Sequence, residues 1–314
     1  MKDLLRTEHL SRADIDMILA TAADFAKDPF REKHELANKT VAIYMTKPST
    51  RTRLASETAT AHLGGTPIFI RGDELQLGRG ETIADTARII SGFCSALIIR
   101  TFAQTDVDEL GKWATIPVIN ALTDDDHPTQ LLADWLTIRE NFGENMAGRK
   151  FVYLGDGNNM ANTWLIMGAI MGAHVVAATP SGKWAPSSAA VATAKKIAIQ
   201  SGATVEVTDD PESAAKGASV LYTDVWMSMG DPESERSEKS QVLAPFSVTE
   251  HLMSLTSSDS IFMHCLPAHR GEEVAASVID GTRSVIWREA FHRRTTIQSL
   301  LYHLIRGEIQ GVSH

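Results

Sequence analysis

The sequence predicts an α/β protein of two domains, each a parallel sheet flanked by helices. Three observations carry this expectation. The chain has 314 residues, beyond the roughly 250 to 300 at which a single hydrophobic core stops growing. Short β-branched and aromatic runs recur along it, each followed by a helical stretch, which is the order of a sheet covered on both faces. The runs form two series separated by a long helical segment, a natural place to divide two domains.

The first series is VAIYM at 41–45, TPIFI at 66–70, ALIIR at 96–100 and IPVIN at 116–120. The dividing segment at 131–149 begins as the helix LLADWLTIRENF and is closed by Gly143. The second series is KFVYL at 150–154, AHVVAA at 173–178, TVEV at 204–207, SVLYT at 219–223 and SIFMHCL at 260–266. A last helix, from about Arg293 to Arg306 with Gly307 as its stop, follows the second series and is free to pack back on the first domain. The expected division is 1–135 with residues 293–314 returning to it, and 136–292. The segment DPESERSEKS at 231–240 carries nothing apolar to bury. It reads as a solvated surface loop or, standing directly after Trp226–Gly230, as a mobile lid.

Composition excludes several function classes. The net charge of −9 argues against general nucleic-acid binding, so an anionic substrate must be held by local arginines and backbone amides. No run approaches the roughly 18 apolar residues of a membrane span. The N-terminal residues mix acidic and basic groups without the apolar core of a secretory signal. Cys94 and Cys265 form no paired motif, which suits a reducing cytoplasm.

Ligands of parallel sheets bind at the carboxyl ends of strands, and several of those ends are unusually polar. After VAIYM comes Thr46-Lys47-Pro48-Ser49-Thr50-Arg51-Thr52-Arg53. Pro48 favours an extended predecessor and Ser49 is a good N-cap, so hydroxyls and arginines fall at a helix N-terminus, an anion site. ALII ends in Arg100-Thr101-Phe102, and the loop after IPVINAL contains Asp126-His127-Pro128-Thr129-Gln130. An Arg, a His and a Gln at one sheet edge suit the polarising of a carbonyl and the holding of an amide.

In the second half, KFVYL is followed by Gly155-Asp156-Gly157-Asn158-Asn159. This run lacks the third glycine of a dinucleotide fingerprint, and the next strand ends without a ribose-binding acid, so a nicotinamide cofactor is not expected. Two readings suit the paired asparagines: helix caps, or neutral donors and acceptors for an amino-acid-like ligand. Asp224 closes SVLYT, where it is a helix cap or an anion for a substrate ammonium. Cys265, beside His264, is a buried small residue by default. A zinc site lacks a second cysteine in range, and thiol catalysis lacks an evident acid to orient the histidine.

Taken in order, KPSTRTR, RTF, HPTQ, GDGNNMAN, DVWMSMG and HCLPAHRGEE resemble the motifs of the ornithine carbamoyltransferases. STRTR with HPTQ marks the carbamoyltransferase superfamily, and DVWMSMG with HCLP the ornithine branch. The resemblance implies a carbamoyl-phosphate-binding domain at 1–135 and an ornithine-binding domain at 136–292. It implies phosphate binding by Ser49, Thr50, Arg51 and Thr52, with Arg100 and His127 on the carbonyl oxygen. Gln130 and the backbone of Cys265 and Leu266 then meet the amide nitrogen, and Arg293 completes the carbamoyl phosphate site. Asn159, Asp224, Ser228 and Met229 match positions that hold ornithine. Gln76 matches a residue given to a neighbouring subunit, which implies a homotrimer or a multiple of trimers. No metal or organic cofactor, nucleic acid or membrane is implied. The family often has an acidic residue where this chain has Thr46, so the charge pairing at that position is expected to differ.

Overall fold

Apolar runs at the expected places become nine strands among the described residues. The structure is a computed structural model that describes residues 1–75, 80–227 and 232–312. The chain divides into two units, Met1–Leu136 with the segment from Phe291 onward, and Thr137–Ala290.

The first unit holds β1 (Thr40–Met45), β2 (Thr66–Arg71), β3 (Ala96–Arg100) and β4 (Val118–Leu122), all parallel, in the order β2-β1-β3-β4. β3 and β4 are buried throughout, and β1 is buried from Val41 on. Strands covered on both faces are continuously apolar rather than alternating. β2 alternates in exposure and accommodates Pro67 because an edge strand has no neighbour waiting for that N–H. Its helices are α1 (Arg12–Lys27), α2 (Thr50–His62), α3 (Ile83–Phe93), α4 (Gln104–Trp113) and the first part of α5 (Pro128–Phe142).

The second unit holds β5 (Lys150–Leu154), β6 (His174–Ala178), β7 (Thr204–Thr208), β8 (Val220–Thr223) and β9 (Ile261–His264), again all parallel, in the order β7-β6-β5-β8-β9. Its helices are α6 (Asn159–Ile170), α7 (Ser188–Ser201), α8 (Pro211–Ala215), α9 (Arg236–Leu243), α10 (Glu250–Leu255) and α11 (Ala276–Ile279). α6 is buried from Met160 to Ile170, in keeping with its nearly unbroken apolar sequence. The final helix α12 (Ile286–Arg306) starts ahead of the expected Arg293. Its later turns bury Ile297, Leu300, Leu301 and Leu304, and Ser299 Oγ and Gln298 Nε2 donate to the carbonyls of Ile18 and Pro29.

Two boundaries differ from the sequence reading. Residues 233–243 are helical, a 3-10 turn at Glu233–Glu235 leading into α9. The residue that this helix buries besides Leu243 is Lys239, so a search for apolar periodicity passes over it. β9 stops at His264, short of the apolar run's end, because Leu266 turns to φ 61° and leaves the extended region.

Each sheet reverses its direction of growth once, between β1 and β3 in the first unit and between β5 and β8 in the second. Crevices open at such reversals beyond the carboxyl ends of the strands. A threonine hydroxyl bridges both: Thr46 Oγ1 donates to the Arg100 carbonyl at 3.3 Å, and Thr223 Oγ1 to the Leu154 carbonyl at 2.6 Å.

Candidate active site

In the first unit the reversal carries a cluster of buried arginines, Arg100 and Arg293, around His127. Ser49 caps α2, its Oγ accepting from the Thr52 N–H at 3.2 Å, which presents the helix N-terminus and Thr50 to the strand ends. The pairing of β3 with β4 shifts between Ile99 and Arg100, so that Arg100 faces Leu122 and Ala121 is skipped. Such an irregularity re-aims a side chain, and Arg100 is buried at this strand end. From α12, Arg293 donates through Nη1 to Gln130 Oε1 at 2.5 Å and through Nη2 to Thr52 Oγ1 at 3.2 Å. Gln130 Nε2 in turn donates to Asp134 Oδ1 at 2.8 Å. The amide is thereby fixed at both its oxygen and its nitrogen.

His127 lies among these groups, fully buried. Burial holds its imidazole well below the usual range, and the charges of Arg293, Arg100 and Arg51 push the same way. The ring is therefore neutral at neutral pH and can donate one hydrogen bond without adding charge. Lys47, a residue the sequence reading did not select, is 4% exposed, pairs with Asp124 and lies over the Phe102 ring at 4.3 Å. It ties the loop before α2 to the loop before α5. A buried lysine is visible only once its partner is, so its motif neighbours gave no signal. Thr46 donates to Thr101 Oγ1 at 3.2 Å as well as to the Arg100 carbonyl.

In the second unit the reversal carries an acid and a thiol. Gly157 sits where any Cβ would meet the Ala185 carbonyl carbon at 2.2 Å, so glycine alone lets the turn after β5 pass. Asp224, 7% exposed at the end of β8, accepts from Cys265 Sγ and from the Val225 N–H through Oδ1, both at 2.8 Å, and from Asn158 Nδ2 through Oδ2 at 3.0 Å. Asn159 begins α6 beside them. Lys239, almost wholly buried, pairs with Asp156 at 2.8 Å and stands 5.0 Å from the Trp184 ring. This anchors α9 to the same turn.

One expectation is corrected here. An acid does orient His264: its Nε2 lies 3.2 Å from Glu273 Oε1, while Nδ1 accepts from the Leu266 N–H at 2.8 Å. Because Nδ1 accepts, Nε2 carries the proton and donates to Glu273. Both ring nitrogens are thus occupied, Nδ1 by the Leu266 N–H and Nε2 by Glu273, and the Cys265 thiol donates to Asp224 instead. Cys265 and His264 form no nucleophile–base pair. Asp224, His264 and Cys265 place one ligand atom each within 4.8 Å of the others, yet the histidine offers no uncommitted nitrogen to a metal.

The structure brings Ser49, Thr50, Thr52, Arg51, Arg100, His127, Gln130 and Arg293 into the first unit, and Asn159, Asp224, Cys265 and Leu266 into the second. Gln76, Ser228 and Met229 lie outside the described residues. Two family models cover most of the chain. Residues 2–140 match "Aspartate/ornithine carbamoyltransferase, carbamoyl-P binding domain" and residues 147–304 match "Aspartate/ornithine carbamoyltransferase, Asp/Orn binding domain". The chain belongs to the aspartate/ornithine carbamoyltransferase family. Arg293 falls within the second family match although the fold assigns it to the first unit. Among relatives, an ornithine carbamoyltransferase of Anoxybacillus flavithermus is 48% identical over 97% of this chain and 96% of its own. A catabolic ornithine carbamoyltransferase of Thermoplasma volcanium is 44% identical over 93% of this chain and 95% of its own. The solved structure of the ornithine carbamoyltransferase from Pyrococcus furiosus matches with a TM-score of 0.92 at 44% identity, over 98% of both chains. Among the described residues of this family member no helix is long and apolar enough to cross a membrane.

Proposed function

We propose that this chain transfers the carbamoyl group of carbamoyl phosphate to the side-chain amine of L-ornithine, giving L-citrulline and phosphate. The observation that carries this reading is a neutral, buried His127 set among Arg51, Arg100 and Arg293 at the reversal of the first sheet. That cluster suits a doubly charged acyl phosphate, whose carbonyl is there to be polarised.

In this reading residues 1–135 with the last helix bind carbamoyl phosphate and 136–292 bind ornithine. Ser49, Thr50, Arg51 and Thr52 hold the phosphate, and Arg100 and His127 hold the carbonyl oxygen. Gln130 and the backbone of Cys265 and Leu266 hold the amide nitrogen. Asn159, Asp224, Ser228 and Met229 hold the amino acid, and Gln76 serves a neighbouring subunit of a homotrimer or a multiple of trimers in the cytoplasm. The amine attacks the carbamoyl carbon as its neutral form, about one molecule in 2,500 at pH 7 for a lysine-like pKa near 10.4. Negative charge grows on the carbonyl oxygen, where losing one donor costs roughly 100 to 1,000-fold in rate. As the new C–N bond forms, the bond from the carbamoyl carbon to the bridging oxygen breaks, that oxygen staying on phosphorus, and the surplus amine proton leaves with the phosphate. The chemistry asks for no metal and no organic cofactor.

The test is product formation from carbamoyl phosphate with ornithine, acetylornithine, putrescine and aspartate offered in parallel. Turnover with ornithine alone is expected. Turnover with another amine instead overturns the amino-acid site, and silence with all four overturns the function.

A further inference from the structure

Asn158, the residue before the α6 asparagine that the family motif points to, is the N-cap of that helix. Its Oδ1 accepts from the Met160 N–H at 2.9 Å and the Ala161 N–H at 3.4 Å. Since a helix N-terminus offers only donors, the amide oxygen must face it and the NH2 must face away. The NH2 is thus aimed at Asp224 Oδ2, 3.0 Å distant. The Tyr153 hydroxyl steadies the same turn, donating to the Asp156 carbonyl at 2.9 Å and lying 3.3 Å from Asn158 Oδ1. Asp224's other oxygen is engaged by the Val225 N–H and the Cys265 thiol. The carboxylate is therefore gripped at both ends, and its plane is set.

Serine, threonine and aspartate cap helices about as well as asparagine. Of the four, asparagine alone supplies both the acceptor the helix needs and an N–H donor pointing the opposite way. Capping leaves the choice open; the carboxylate at the end of β8 decides it.

We propose that Asn158 is a positioning residue of the amino-acid site, aiming Asp224 at the substrate's ammonium group and so setting the affinity for ornithine. This rests on the reading of Asp224 as an ornithine contact. Asn158 touches no substrate; it acts by orienting the group that does.

The experiment is steady-state kinetics and thermal melting of the full-length protein and two variants that keep the cap. Asn158→Ser deletes the contact to Asp224, and Asn158→Asp sets a second carboxylate against it. The expected result is near-wild-type melting with KM for ornithine raised about ten-fold or more in Asn158→Ser and further in Asn158→Asp, as loss of a hydrogen bond to a charged group implies. KM for carbamoyl phosphate stays within about two-fold, because that site is built from other elements. An unchanged ornithine KM, an equal rise in both KM values, or unfolding of both variants reduces Asn158 to a cap and overturns the proposal. Wild-type protein that does not carbamoylate ornithine overturns the function itself, so the two failures are distinct.

Discussion

Arg293 in α12 donates to Gln130 in α5 at 2.5 Å, and its second nitrogen reaches Thr52 in α2. One guanidinium joins three helices of the first unit around a pocket that the neighbouring backbone has already made attractive to anions. The fork geometry matters as much as the charge.

Arg293→Lys is therefore expected to behave nearly as badly as Arg293→Gln. An ammonium cannot reach both partners, and each unsatisfied buried group costs about 1 to 3 kcal/mol. The readout is KM for carbamoyl phosphate, expected to rise at least ten-fold or so in both variants. A lysine variant with wild-type KM would show that charge alone suffices.

His127 gives a pH signature. Its folded pKa lies below that of an unfolded histidine, about 6.5, so below that pH the unfolded chain binds the extra proton. Stability attributable to this residue is complete above about pH 6.5 and falls as pH drops beneath it. Melting of the wild type should fall with acidification in that window more steeply than that of His127→Gln. In NMR titration the His127 ring should not titrate between about pH 6 and 8. A midpoint near 6.5 would refute the buried neutral ring.

Cys265→Ser should retain substantial turnover, since a serine hydroxyl can also donate to Asp224 and the neighbouring His264 is engaged by Leu266 and Glu273. Mass spectrometry of wild-type enzyme quenched during turnover should show no carbamoyl adduct. Complete loss of activity together with a trapped adduct on Cys265 would establish covalent catalysis.

Lys239 and Asp156 form a buried ion pair. Lys239→Met strands a buried carboxylate and is expected to cost about 3 to 5 kcal/mol, seen in denaturant unfolding. Lys239→Met with Asp156→Leu should recover much of that loss, because no charge is then left buried alone. A double variant no better than the single would mean that the lysine's packing, not its charge, holds α9.

Activity should climb with pH through the neutral range as more ornithine reaches its neutral form. A flat profile from about pH 6 to 9 would mean that attack by the free amine does not limit the rate.

The strands were legible because buried parallel strands are written as unbroken apolar runs, and the anion site because Ser49, Arg51 and Arg100 follow such runs directly. Less legible were the residues whose role is to hold others. Glu273 is distant in sequence from its histidine's strand end only by a turn, but nothing local marks it as that histidine's acid. Lys239 hides in a polar stretch since its burial depends on Asp156, and Asn158 looks like a cap until the carboxylate beyond it is seen. Pairings made by the fold, rather than by neighbours in the chain, carry no local pattern for a reader to find.

The second unit is inserted within the first, which closes only with the chain from Phe291 onward. On the ribosome this inverts the usual order in which the earlier part of a chain completes itself first. All the strands of the first sheet emerge early, yet Arg293 is made only after residues 137–290. The strands of the inserted unit are all made while the enclosing one still lacks the arginine that ties Gln130 to Thr52. The anion pocket is therefore completed late, and a nascent chain stopped just short of Arg293 would carry all five strands of the second sheet and an unfinished first site.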